Sequence, residues 1–457
     1  MSRDGFGSKI GIIAAAAGSA VGLGNIYRFP CELSGNGGGA FLLVYLLIVL
    51  CLGVPVMLSE FVIGRATQKN PIGAFRTLRP RSAWPILGYL GVICAFIIMA
   101  FYSTVAGWTL EYIVKAVGNQ FHENGVAKDH ETIVAEFKAF QQMGWKNVLW
   151  QGAFIFLTGF VVFKGVANGI EKYTKILMPL LVLILIVLGV YTLTLDKAGE
   201  GLAFLFKPDF SKITGSVLVS ALGQAFFSLS MGMGVLITYG SYIKKDDNMV
   251  TTSLSVVLAD TMVAVLAALV IFPAAYSFGE LPPKPGTEVN GMSLIFSTLP
   301  MIFNQMEGVG YFLCIIFFVL LAVAALTSTI SLLEVIVAYL VEELHLPRRW
   351  ATVLASVGCM ALGVFASLSL KEGSIFTIAG KSFFENLDFI SAKVLLPVGA
   401  LFIVIFVGWI MGKKWFNAEL TNDGKLKLSI KGVIYFIIKF IAPLAIAVIF
   451  ISGLLNP

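Results

Sequence analysis

Gly18-Ser19-Ala20-Val21-Gly22-Leu23-Gly24-Asn25, followed after two residues by Arg28-Phe29-Pro30, interrupts the first hydrophobic run of the chain. A run that only has to cross a bilayer favours unbroken helix, because hydrocarbon offers no partner to a free N–H or C=O. Glycines, an asparagine and an arginine at that depth mark backbone opened on purpose. Such backbone is tolerated only where it lines a cavity or lies inside protein. It offers carbonyls to a cation and amides to an anion. The stretch therefore reads as the binding segment of a transporter.

The rest of the chain agrees with that setting. Of 457 residues, 58% are hydrophobic and 13% charged, and the mean hydropathy is +0.90. A soluble domain carries about 25% charge. The chain is therefore an all-α polytopic membrane protein. Charge-free runs mark the spans at 10–27, 41–58, 82–110, 147–163, 176–195, 213–243, 261–279, 309–333, 350–370, 394–412 and 440–457. Each suits or nearly suits a helix of about 17–25 residues, which gives about eleven transmembrane helices and termini on opposite faces.

Lys and Arg set the orientation. Arg65, Lys69, Arg76, Arg79 and Arg81 follow the second span, and Lys164, Lys172 and Lys175 the fourth. Lys244 and Lys245 follow the sixth, Arg348 and Arg349 the eighth, and Lys413, Lys414, Lys425, Lys427 and Lys431 the tenth. With Arg3 and Lys9, this places the N-terminus in the cytoplasm and the C-terminus outside a cell (inner) membrane. The net charge of +6 needs no nucleic acid to explain it. Cys31, Cys51, Cys94, Cys314 and Cys359 all lie in apolar stretches, so no disulfide framework is expected. His122, His130 and His345 have no metal-ligand spacing. Arg3 and Lys9 before an apolar run also resemble a signal peptide, but the charge pattern works with the first span retained.

No soluble domain is visible, so residues 1–457 form a single transmembrane domain. The longest hydrophilic stretches are 118–146, expected outside, and 416–431, expected inside; 279–288 is Pro-rich and expected to loop outside. The sixth span echoes the first: Gln224-Ala225-Phe226-Phe227-Ser228-Leu229-Ser230-Met231-Gly232-Met233-Gly234 is also interrupted near its middle. Five spans separate the two, so a five-helix repeat would insert upside down relative to its partner. The expected repeats cover approximately 9–195 and 213–412, with an extra helix at approximately 431–455. Glycines in membrane helices also serve packing, but interruptions at corresponding positions of two halves favour a midplane site.

The first of these motifs, continued by Gly35-Asn36-Gly37-Gly38-Gly39-Ala40-Phe41, resembles the first-helix signature of the neurotransmitter:sodium symporter family, in its bacterial amino-acid transporter branch. The resemblance extends to 224–234, Leu326-Thr327-Ser328-Thr329 and Asp388. It implies two inverted five-helix repeats with unwound first and sixth helices, and 11 transmembrane helices in all. It also implies two sodium ions. One would take carbonyls and hydroxyls of Gly18, Val21, Ala324, Thr327 and Ser328; the last three share one helical face. Thr327 and Ser328 could equally bond back to their own helix. The other ion would take Ala20, Asn25, Ser228 and Asp260, completed by the substrate carboxylate. Many relatives carry asparagine at the position of Asp260, and its charge would replace the chloride that animal members bind. No chloride requirement is expected.

For the substrate, the resemblance assigns the amides of Leu23 and Gly24 and the Tyr102 hydroxyl to a carboxylate. The carbonyls of Ala20, Phe227 and Ser230 fall to an ammonium. Gly22 stands where monoamine carriers place an aspartate, which implies that the ligand brings its own carboxylate. Ile98, Phe227, Met233, Ser328 and Leu332 would line a neutral side-chain pocket beside Ser228. A neutral, hydrophobic or aromatic amino acid is expected, and adaptable Met233 suits a bulky one.

Arg28 and Asp388 match the family's outer ion pair, with Tyr102 and Phe227 as the lid. Arg3 and Glu342 match its inner pair, with Phe6 where many members have tryptophan. Gly169 and Pro179 could let the fifth span unwind or could mark a plain kink. Glu60 matches a carboxylate that accepts amides of the opened sixth helix. Glu334 and Lys393 are read as buried pairing or snorkelling charges. The expected activity is sodium-coupled amino-acid symport by alternating access, and no nucleophile–base pair, phosphate loop or metal motif points to an enzyme. The alternatives are a proton-coupled or facilitative carrier, and a non-transporting channel or sensor on the same fold. The oligomeric state is not legible.

Overall fold

The computed structural model describes residues 9–123, 126–277, 292, 294–306, 308–378 and 380–455. Arg3 and Phe6 lie outside them, as does the whole of the Pro-rich stretch 279–288.

Nine helices among the described residues are long and apolar enough to cross a membrane. They are Gly39–Thr67, Pro85–Val117, Gly144–Phe163, Val166–Thr192, Met249–Ser277, Gly310–Glu342, Arg348–Ser369, Phe383–Leu420 and Lys431–Val448. They correspond to the second to fifth and seventh to eleventh spans. The first span is a bent pair, Ile10–Ala20 and Gly24–Gly35, turned by 61° at its break. The sixth is Gly215–Ser228 and Val235–Gly240, with irregular backbone between. The two interruptions read from the glycines are thus where the helices break. In the sixth span the break needs left-handed backbone at Ser230, Gly232 and Gly234 (φ 53°, 83° and 77°). A Cβ on Gly232 would also lie 2.4 Å from the Leu396 carbonyl oxygen, so only glycine fits there.

Most continuous helices outrun the charge-free segments, because charges inside them are satisfied by neighbours. Arg65 ends the second span with bonds to the Asp247 carbonyl and the Asn422 side chain, at 3.1 and 2.8 Å. Glu334 in the eighth span is fully buried and takes both terminal nitrogens of Arg348. Lys393 lies 5.6 Å from the centre of the Phe389 ring. The fifth span does not unwind between Gly169 and Pro179: a wide turn at Val166–Glu171 leads into helix Lys172–Thr192 with Pro179 inside it.

The helices pack as two groups. The third, fourth, eighth and ninth spans contact one another extensively, and the first, second, sixth and seventh form a second body against them. Glycines make the close approaches. A Cβ on Gly64 would lie 2.1 Å from the Ile237 carbonyl oxygen, locking the second span to the lower half of the sixth. Between the seventh and eighth spans, Leu294–Thr298 carries Phe296 into a cluster with Trp108, Tyr112 and Phe137.

Candidate functional site

The breaks of the first and sixth spans face each other across a small cavity. Of the residues expected to hold the substrate, all but Leu23 line it: Ala20, Gly22, Gly24, Ile98, Tyr102, Phe227, Ser228, Ser230, Met233, Ser328 and Leu332. The Leu23 side chain is buried elsewhere, and its amide donates to the Tyr102 hydroxyl at 3.0 Å. Ser19 takes its place in the lining.

The lining is tight because of its glycines. A Cβ on Gly22 would lie 2.4 Å from Ser328 Oγ and 2.9 Å from the Tyr102 hydroxyl; one on Gly24 would lie 3.0 Å from the Phe227 ring. No side chain fits at position 22 without displacing both polar groups.

Two clusters of oxygens flank the cavity. In the first, Asp260 is fully buried. Its carboxylate accepts from Asn25 Nδ2 at 2.7 Å, from Ser228 Oγ at 2.9 and 3.0 Å, and from the Tyr45 hydroxyl at 3.5 Å. All three partners are neutral. Asn25 Nδ2 also donates to Ser228 Oγ and to the Asp260 carbonyl, both at 3.1 Å, while Asn25 Oδ1 caps the Gly22 amide at 3.0 Å. A buried carboxylate among neutral groups is a costly arrangement that a cation relieves. The donor set is oxygen-rich, as a hard cation requires. Turning the Asn25 amide would present Oδ1 to such an ion.

In the second cluster, Thr327 Oγ1 donates to Val21 O at 3.3 Å and to Ala324 O at 2.9 Å. Ser328 Oγ lies 3.2 Å from Val21 O and 3.4 Å from Ser19 O. Thr327 thus bonds back to its own helix, as one reading expected, and also reaches the opened first span. A Cβ on Gly18 would stand 3.2 Å from that of Thr327, so Gly18 closes the same cluster.

Further bonds hold the breaks open. Ser230 Oγ donates to Ser19 O at 3.1 Å, Gln224 Nε2 to Gly24 O at 3.1 Å, and the Gly232 amide to Glu60 at 2.8 Å. Glu60 thus takes the place expected of it. Ser19, Tyr45 and Gln224 were not singled out as site residues from sequence. Gln224 lay inside the echoed motif, and Ser19 inside the opening one. Tyr45 sits in an apolar helix with nothing around it to mark it.

The outer gate departs from expectation in this conformation. No ion pair joins Arg28 to Asp388 among the described residues. Arg28 instead pairs with Glu32, Nε to Oε1 at 3.8 Å, and lies over the Phe227 ring at 4.3 Å from its centre. One helical turn separates Arg28 from Glu32, whereas Asp388 stands on another span. On the other face, Glu342 accepts from the Asn70 amide at 2.7 Å and from Asn70 Nδ2 at 3.0 Å. Its expected partner Arg3 falls outside the described residues.

Known proteins resemble this chain over nearly its whole length. A sequence model of the sodium:neurotransmitter symporter family matches residues 3–132 and 119–457. An uncharacterized sodium-dependent transporter of Bacillus subtilis, YhdH, is 38% identical over 445 residues, covering 97% of this chain and 96% of that one. A second, from Haemophilus influenzae, is 37% identical over 462 residues, covering 99% and 98%. The crystal structure of MhsT in complex with L-phenylalanine matches with a TM-score of 0.88 at 40% identity, covering 99% of this chain and all of that one.

Proposed function

This chain belongs to the sodium:neurotransmitter symporter family and is a sodium-dependent, multi-pass membrane transporter rather than an enzyme; from that premise we propose that it imports a neutral, hydrophobic or aromatic L-amino acid together with two sodium ions, by alternating access and without chloride. The observation that carries the reading is the buried Asp260 carboxylate, bonded among the described residues only to neutral groups, beside a cavity walled by opened backbone. Sodium is cargo here. Asn25, Ser228, Asp260 and the Ala20 carbonyl bind one ion; Gly18, Val21, Ala324, Thr327 and Ser328 bind the other. The ligand carboxylate sits near the Leu23 and Gly24 amides and Tyr102. Its ammonium meets carbonyls of residues 20, 227 and 230.

The neutral lining by Ile98, Phe227, Met233 and Leu332 supports a hydrophobic side chain, as does the phenylalanine bound by MhsT. The repeats span about 9–195 and 213–412. The N-terminus lies in the cytoplasm of a cell membrane. Arg28 and Asp388 close the outer side and Glu342 the inner side. A proton-coupled carrier would use a deep carboxylate without a countercharge; Glu334 is engaged by Arg348 and Tyr242, while Asp260 and Glu60 meet neutral groups, so the coupling ion is decided by the uptake test.

The test is uptake of radiolabelled amino acids into proteoliposomes, with sodium, chloride and pH gradients imposed one at a time. Uptake driven by sodium alone, strongest for large apolar side chains, is expected. Uptake that follows the proton gradient in sodium-free buffer would overturn the coupling ion. Binding without accumulation would point to a sensor.

A further inference from the structure

Arg28 is the cation of the outer gate in the reading above, yet its carboxylate partner in this conformation is Glu32. Glu32 is held in place independently of Arg28. Ser220 Oγ, on the upper half of the sixth span, donates to Glu32 Oε2. Asn36 Nδ2 reaches the same oxygen at 3.3 Å and the Glu32 carbonyl at 2.8 Å, and also bonds Ser220 Oγ at 3.1 Å. Asp388 stands on the tenth span, is exposed, and has no ion pair among the described residues.

The geometry points to Glu32 as a positioning residue that holds Arg28 on the first-span side while the outer path is open and hands it to Asp388 when the path closes. Three features make the exchange reversible. Arg28 and Glu32 side chains are 27% and 28% exposed, so water screens the pair and weakens its hold. Ser220 and Asn36 remain as donors to Glu32 once Arg28 leaves, so the abandoned carboxylate is not stranded. Phe227 carries the guanidinium on its ring face in this conformation, which gives it a guided path over the ligand cavity. Two carboxylates competing for one arginine make a two-state element whose balance either one can bias.

This inference rests on the reading of Arg28 and Asp388 as the outer gate. It is tested with a readout that does not need the ligand identified. With Cys31 and Cys51 replaced, spin labels at Ser216 and Ile375 report the distance across the outer mouth in full-length reconstituted protein. E32Q keeps an acceptor for Ser220 and Asn36 but removes the charge. It is expected to raise the closed-to-open ratio about two- to fivefold, the range for a partly exposed ion pair, and to slow L-phenylalanine dissociation to match. S220A removes a competing donor, so Glu32 grips Arg28 harder and the ratio moves the other way. E32D retains the charge and stays near wild type.

In a D388N background E32Q should have no effect, because the receiving carboxylate is gone. An unchanged distance distribution in E32Q and S220A, or an equal shift in E32Q with and without Asp388, would overturn the hand-over. Failure of the wild type to bind L-phenylalanine would instead overturn the proposed substrate, while the distances still decide the role of Glu32.

Discussion

Asp260 carries most of the electrostatic argument. A carboxylate at the centre of a membrane helix costs about 2.5–3.5 kcal/mol on insertion scales, and among the described residues its side-chain bonds are to Asn25, Ser228 and Tyr45. In D260N the proposed sodium site should lose its formal charge and about tenfold in apparent sodium affinity, roughly 1.4 kcal/mol. Uptake should also become stimulated by chloride. Sodium titration of substrate binding measures the first effect, and an unchanged midpoint would remove Asp260 from the site. Gly22 makes a second, steric prediction. With a Cβ 2.4 Å from Ser328 Oγ, G22A should weaken substrate binding by about ten- to a hundredfold, the equivalent of overpacking by about 1–3 kcal/mol. Sodium binding at the Thr327 and Ser328 cluster should weaken too, because the displaced Ser328 Oγ belongs to it, whereas binding at the Asp260 cluster should change less; equal loss at both clusters would mean collapse of the whole break. At this scale the site was legible where chemistry is unusual for its surroundings: glycines, Asn25, Asp260. Tyr45 was hidden, since its bond to Asp260 joins two helices far apart in sequence and an isolated tyrosine in an apolar helix carries no signal.

Helices and their pairings were legible in kind but not in extent. Charge-free runs cut the eighth span at residue 333, whereas the helix runs through Glu334 to Glu342. A charge inside a span stops a hydropathy reading, but Arg348 supplies the countercharge from the next helix. Removing one partner of such a pair leaves the other buried and uncompensated, at a cost of about 3–5 kcal/mol. R348M should therefore lower the melting temperature markedly, and adding E334M should recover much of the loss. A double variant no more stable than the single one would show that Arg348 acts through something else, such as its bond to the Val162 carbonyl at 3.1 Å. The breaks were legible because three glycines recur within seven residues of the first span and two within three of the sixth. The Arg28 partner was not, since sequence spacing alone cannot choose between Glu32 four residues away and Asp388 on another helix. The outcome at Gly169 and Pro179 was equally open, because proline permits both a kink and an opening.

The whole molecule joins these parts by splitting into two bodies. The opened first and sixth spans belong to one, and Tyr102, Thr327 and Ser328 to the other. The bonds from Tyr102 to the Leu23 amide and from Thr327 to the Val21 carbonyl run between the bodies. On the proposed function, cargo bound there would bridge them, linking occupancy to closure and passing the ions' electrochemical energy to the amino acid. One charge crossing about 100 mV releases about 2.3 kcal/mol. With equal sodium on both sides and an inside-negative potential of that size, two ions moving with a zwitterion set a ceiling of roughly three decades of accumulation. One ion sets it near fiftyfold, and an electroneutral exchanger gives none. Adding a tenfold sodium gradient raises the two-ion total to roughly 7 kcal/mol, or about five decades. Potassium-loaded proteoliposomes treated with valinomycin set the potential, and the plateau of labelled substrate reads the charge moved. A plateau well above fiftyfold is expected. One that stops there would leave only one of the two oxygen clusters carrying sodium across, and the same measurement on T327A would identify which.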